Sequence, residues 1–221
     1  MKLTIVAATG GIGRQLLGQA VAAGHEVTAV VRNPAGLSAP VRVVAADLAT
    51  AEPTALAAAV AGADAVLSGL GARSSAEAGV AWRGTRAVAE AMRTAGVQRL
   101  VVVSAAPIGT VPSPNRPHPP KHDPGDGPFM RYLGAPLTRT FLRAHYADLA
   151  RMEELLRDGD LDWTVLRPPR LTDKPLTGTY RTSIDRNVHG GITVSRADVA
   201  HGMLAALERP DTVRHTVGIA N

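Results

Sequence analysis

The 221-residue chain contains no cysteine. That single absence removes disulfide frameworks, iron–sulfur clusters, thiolate zinc sites and cysteine nucleophiles. Aromatic residues are scarce, at 3%, and the basic residues are scattered singly, so no positive stretch alternates with stacking rings and nucleic acid is not an expected partner. No apolar run approaches the ~20 residues of a membrane span, and the opening MKLTIVAATGGIG is broken by glycines too early for a signal-peptide core. The expected location is the cytoplasm, with no membrane contact. Lysine is nearly missing: 21 of the 24 cations are arginine, against 19 acids. The net charge of +5 favours small anionic ligands, although most single arginines simply solvate helix faces.

What is present is an ordinary globular composition, 45% hydrophobic and 19% charged, on a chain long enough for one domain with a full core. Residues 1–221 are therefore expected to form one domain. Apolar, β-branched runs at 3–8, 27–31, 41–44, 65–67, 100–103 and 163–166 alternate with helical patterns at 12–23, 54–60, 80–93 and 138–157. Strands apolar on both faces, alternating with helices, predict a mostly parallel, doubly wound α/β sheet with helices on both faces. Residues 107–128 hold eight prolines and cannot continue the pattern; an insertion is expected over 107–137, acting as a substrate lid or a dimer arm, or else as a plain surface excursion. A substrate-side segment follows at 167–195. Within it, 178–184 and 188–194 read as two strands about a turn at Asp185, Arg186 and Asn187. Ser195 to Asp198 is a capping-box signature for a helix reaching Glu208, and 213–219 reads as a closing strand.

The segment VAATGGIG lies between the first strand and the first helix, the context in which a glycine turn binds phosphate. Gly10 and Gly13 allow close backbone approach, and the helix start offers unpaired N–H groups and a partial positive charge. Ala8, Thr9, Gly11, Ile12 and Arg14 belong to the same turn. Arg32 stands at the end of the second strand, where an acidic residue would bind the ribose 2′-hydroxyl of NAD. A guanidinium there suits the 2′-phosphate instead, so the expected cofactor is NADPH/NADP+.

VAATGGIG, HEVTAVVRNP, AADL, the Gly69 to Arg73 turn, VVVSA, and DWTVLRPPRLTD with PLTGTYR together resemble the atypical short-chain dehydrogenase/reductases, in particular the NmrA-like and biliverdin reductase B-like (NADPH flavin reductase) group. The resemblance implies a Rossmann-type fold with a small C-terminal substrate-side region. It implies that Asp47 and Leu48 border the adenine, and that Gly69, Leu70, Gly71 and Arg73 lie along the nicotinamide ribose. Ser104 would face the nicotinamide, Pro168 and Pro169 would line its pocket, and Arg170 would stand at the entrance. The chain departs from the group at Ala7, where glycine is usual; a negative φ is expected there. It also lacks the tyrosine–lysine pair of typical members: Pro136, Ala150 and Ile184 stand four residues after Tyr132, Tyr146 and Tyr180.

Without that acid, conjugated acceptors that take a proton from solvent are favoured, such as a flavin, a quinone or a linear tetrapyrrole. Ser104, Tyr146 and Arg170 are the catalytic candidates, and Arg170 and Arg73 are candidates to pair with acidic groups of the acceptor. Ser104 equally suits a strand-end cap, and Tyr146 a core position; His145, its neighbour, cannot face the same way. His118, His122 and Asp123 have no spacing that converges metal ligands. The expected function is an NADPH-dependent reductase of a small molecule, acting as a monomer or homodimer. The alternatives are an NmrA-like NADP(H) sensor without turnover, and a biosynthetic tailoring ketoreductase or epimerase.

Overall fold

The computed structural model describes residues 1–37, 39–48, 53–72, 77–127 and 143–221. Strand β1 (Lys2–Val6) leads into α1 (Gly11–Ala22), then β2 (Glu26–Val31), β3 (Arg42–Ala45), α2 (Pro53–Val60), β4 (Ala65–Ser68), α3 (Val80–Ala95) and β5 (Arg99–Val103). After the proline-rich stretch come α4 (Arg143–Asp158), β6 (Asp162–Arg167), β7 (Arg170–Thr172), β8 (Arg181–Ile184), β9 (Thr193–Ser195), α5 (Arg196–Ala205) and β10 (His215–Ala220). Eight strands form one sheet in the order β3-β2-β1-β4-β5-β6-β10-β8. All its pairings are parallel except β10 with β8. Because β1 is flanked by β2 on one side and β4 on the other, the strand order reverses there, which opens a crevice at its carboxyl end.

The two-residue period of a strand divides β1 between two cores. Leu3 and Ile5 face α1 and α5, whereas Val6 faces α2, α3 and α4. Thr4 also turns to the second face, and its hydroxyl donates to the Ala59 carbonyl at 3.0 Å, which satisfies a fully buried polar atom. Helix α1 answers with a stripe of Ile12, Leu16, Leu17 and Ala20, and stops at Gly24 with φ +76, as the glycine at that position predicts.

The carboxyl-terminal third departs from expectation. Residues 178–194 do not form a hairpin: β8 pairs with β10, and β9 pairs in parallel with β7 as a separate two-stranded sheet. The intervening residues are held by other partners. The Asn187 N–H donates to Asp123 at 2.8 Å, and its side-chain amide donates to Asp126 at 2.8 Å. A Cβ on Gly125 would lie 1.8 Å from the Asn187 carbonyl, so the two segments touch backbone to backbone. The described part of the proline-rich insertion, through residue 127, is thus a strap pinned to the sheet edge. Its middle is tied to α4, where Asn115 donates to Glu154 at 2.6 Å and to Asp158 at 3.0 Å. The rest of the expected insertion and the start of the expected helix at 138 lie outside the described residues. Helix α5 ends at Ala205 and tightens into a 3-10 turn over Ala206–Glu208. Among the described residues no helix is long and apolar enough to cross a membrane.

Candidate functional site

Four segments meet at the crevice: the glycine turn after β1 and the ends of β2, β3 and β4. They enclose a cleft of about 320 Å³. Of the residues singled out from the sequence, Thr9, Gly10, Arg32, Asp47, Leu48, Gly69, Leu70 and Gly71 line it.

The turn is built around Ala7, whose φ is +57 rather than negative. Its carbonyl thereby accepts from the Gly10 N–H at 2.8 Å, closing the turn. A Cβ on Gly13 would sit 2.1 Å from that same carbonyl oxygen, so only glycine lets α1 approach the strand end. Gly69 packs against this junction, its would-be Cβ 3.1 Å from the Gly13 nitrogen. Ala8 and Ile12 turn their side chains into the core and contribute backbone alone. Helix α1 begins at Gly11 with no side-chain cap and no acidic residue in its first turn. Its first N–H groups are therefore left for an incoming anion, and the positive end of the helix is uncompensated. Arg14 is exposed on that turn and lies outside the cleft lining.

At the other rim Arg32 is half exposed and pairs with Glu77 at 3.2 Å across the cleft. Glu77, absent from the sequence reading, is a cleft residue; residues 74–76 separate it from the Gly69 to Arg73 turn in the sequence, and no spacing rule marks it. Asn33 fixes the loop after β2 by accepting from the Ala35 N–H at 3.0 Å. Leu48 is buried against Gly84, where a Cβ would stand 3.3 Å away, whereas Asp47 is exposed at the lip. The residues fit a dinucleotide: an uncapped helix start, a glycine floor and an arginine at the ribose corner. Arg73 lies outside the described residues.

The catalytic candidates do not gather in this cleft. Ser104, buried just beyond β5, donates its hydroxyl proton to Glu153 at 2.7 Å. Glu153 is 1% exposed on α4 and takes two hydrogen bonds from Arg167, and a third from Arg157 at 2.6 Å. Burial raises the carboxyl pKa, but the two guanidinium groups and the Ser104 hydroxyl outweigh it and hold Glu153 below its usual value. Arg167, buried at the end of β6, is desolvated too, yet Glu153 and Asp123 hold its pKa up. Glu153 was missed in the sequence, although a signal existed: it falls seven residues after Tyr146 on the stripe shared with Leu149 and Leu156, where an acid is out of place unless paired.

Tyr146 is 6% exposed within the core beneath α3 and α4, the blander of its two readings. Burial lowers the pKa of neighbouring His145. Pro168 is buried, and its carbonyl accepts from the Ala106 N–H at 2.9 Å. Arg170 is exposed at the start of β7. His118 and His122 are exposed on the strap, while Asp123 is buried and accepts from backbone N–H groups. Among the described residues no cluster of three or more histidine, aspartate or glutamate side chains is placed to hold a metal.

Comparison with known proteins agrees with this geometry. The chain is similar, over all of its length and all of theirs, to a Burkholderia pseudomallei protein described as exported, with 28% identity and a TM-score of 0.74. A candidate NADH-flavin reductase from Streptococcus pneumoniae shares the fold at TM-score 0.71 and 24% identity, with 100% of this chain and 99% of that one covered. So does a short-chain dehydrogenase/reductase from Veillonella parvula solved with NADP, at TM-score 0.76 and 18% identity, covering 100% of this chain and 94% of that one. A UPF0659 protein of Schizosaccharomyces pombe is 32% identical over 99 residues, which span 45% of this chain and 38% of that protein. The model of the NAD(P)H-binding family matches residues 7–210, from the strained alanine of the glycine turn to the last 3-10 turn, and the chain belongs to that family.

Proposed function

We propose that the protein is an NADPH-dependent reductase of a conjugated small molecule such as a flavin, a quinone or a linear tetrapyrrole. The observation that carries the reading is the cleft itself: an uncapped α1 start at one end and the Arg32 guanidinium at the other, spaced along one groove. The α1 N–H groups would hold the pyrophosphate, and Arg32 the 2′-phosphate, through charge-assisted hydrogen bonds. Glu77 would have to yield Arg32 to that phosphate, which makes it the residue that tempers the preference. When bound, reduced nicotinamide supplies a hydride.

The chain's own contribution to the proton is constrained. Because the Ser104 proton is committed to an ionised Glu153, the Ser104 oxygen is left as an acceptor, suited to a carboxamide or ring N–H and not to protonating a carbonyl. No tyrosine–lysine pair replaces it. An acceptor that spreads the incoming electron pair and draws its proton from water matches this arrangement.

The test is a paired titration. Arg32→Ala is expected to weaken NADPH by about tenfold or more, the worth of a hydrogen bond to a charged group, and to leave NADH within about twofold. Equal losses for both would overturn the 2′-phosphate assignment. Steady NADPH oxidation with FMN or a quinone is expected of the wild type.

A second reading, a redox sensor without turnover, is favoured by the distance in role between the cleft and the candidates: Ser104, Tyr146 and Arg170 are absent from its lining. Stoichiometric NADPH binding with no oxidation by any such acceptor would select it.

A further inference from the structure

A second pocket, of about 370 Å³, lies under the strap, lined from α4 on one side and from β6 and the start of β10 on the other. It shares no lining residue with the dinucleotide cleft. Four arginines line it: Arg116 from the strap, Arg157 from α4, Arg167 from β6, and Arg214 just before β10. The nearby carboxylates are already engaged. Glu153 serves Arg157 and Arg167. Asp185 accepts from His215 at 2.6 Å and from the Thr216 N–H at 3.1 Å. Asp123 accepts from two backbone N–H groups. Among the described residues the Arg214 guanidinium donates to the Gly159 carbonyl, at 3.1 Å, and to no carboxylate. The Arg116 guanidinium has no hydrogen bond or ion pair among the described residues, and burial together with the fields of Arg157 and Arg167 lowers its pKa. Glu153 offsets part of this repulsion for Arg116, and an anion beside the arginines would relieve the rest.

Two independent features mark the same place. Trp163 forms part of the wall, is 5% exposed, and its indole N–H has no hydrogen-bond partner among the described residues. A buried donor of this kind is rare unless something is meant to meet it. The backbone is strained here as well. Among the described residues three non-glycines have positive φ: Ala7 at +57, Asp185 at +55 and Arg214 at +61. Ala7 lines the dinucleotide cleft, and the other two line this pocket. Such strain gathers where ligands are held.

We propose that this pocket binds the oxyanion group of a small metabolite, a phosphate or a carboxylate, with Arg116 and Arg214 as the clamp and Trp163 and Pro120 as the apolar wall. The two sources of the oxyanion are separated by titrating the full-length protein calorimetrically with inorganic phosphate and, in parallel, with succinate. Tryptophan fluorescence is followed in Trp82→Phe, so that Trp163 alone reports. Micromolar to low-millimolar binding of at least one anion is expected, weakened by about tenfold or more in Arg116→Ala and in Arg214→Ala, and partly kept in Arg116→Lys. Arg86→Ala, at an exposed arginine that lines neither pocket, is expected to leave it unchanged. No binding of either anion in the millimolar range, binding indifferent to Arg116 and Arg214, or binding lost in Arg86→Ala would each overturn the proposal. None of these readouts depends on the dinucleotide, so failure here leaves the reductase reading standing.

Discussion

Ala7 shows how a single dihedral can tie a fold to its ligand site. An alanine in the left-handed region costs on the order of 1–2 kcal/mol, and glycine removes that cost while adding back part of it as unfolded-chain entropy. Ala7→Gly is expected to raise the melting temperature by about 1–4 °C, with dinucleotide binding unimpaired; a fall would mean that the methyl group packs better than its backbone suffers. Gly13→Ala is the opposite case. Its Cβ would overlap the Ala7 carbonyl, so the helix must retreat from the strand, and NADPH affinity is expected to fall by at least about tenfold. The need for glycine at 13 was legible from the motif and its setting. The φ of Ala7 was not, because residue type states a preference and the closing hydrogen bond from Gly10 decides the outcome. Glu153 is different: the stripe of Tyr146, Leu149 and Leu156 singles it out from Glu154 in the sequence, whereas its partners Ser104 and Arg167 lie 49 and 14 residues away and only the fold shows them.

At the scale of elements, the ends of the two helices on one face contrast. Helix α5 is capped by Ser195, which accepts from the Asp198 N–H at 2.9 Å, while Asp198 in turn accepts from the Ser195 hydroxyl and from the N–H groups of Thr177 and Gly178. This is the end that the capping signature announced. Ser195→Ala removes the cap and one donor to a buried carboxylate, and is expected to cost about 1–3 kcal/mol in urea unfolding. Helix α1 lacks any such group, which is why ligand is expected to raise its protection from hydrogen exchange more than that of α5. The six strands and the helices from β1 to β6 could be read in sequence because each is a local hydrophobic period. The pairing of β8 and β9 could not: both strands are short, and the residues between them are held not by a hairpin but by the distant strap, where Asp123 and Asp126 accept from Asn187.

Over the whole molecule, buried carboxylates set the response to acid. Glu153 and Asp198 are both held below their ordinary values against the effect of burial, Glu153 by the Arg167 and Arg157 charges with their hydrogen bonds, and Asp198 by hydrogen bonds from Thr177, Ser195 and Gly178. A folded-state pKa below the unfolded value means that the unfolded chain binds more protons as pH falls. The stabilisation is then complete above the ordinary carboxylate range of about 4 and is lost as pH drops through the lowered values. Stability in urea unfolding is expected to weaken modestly as pH falls through the ordinary histidine range, because burial lowers the His145 value, and to weaken steeply below about 4; a level profile into strong acid would contradict the pairing. Glu153→Ala strands Arg167 in the interior and is expected to cost about 3–5 kcal/mol. That one carboxylate faces Ser104 on one side and the arginine pocket on the other has a practical consequence for genetics. A saturation-mutagenesis screen will score position 153 as intolerant whether or not either neighbour ever meets a ligand, so depletion there reports abundance. Only separation-of-function alleles, sought at Arg32 and at Arg116, can divide the two proposed sites.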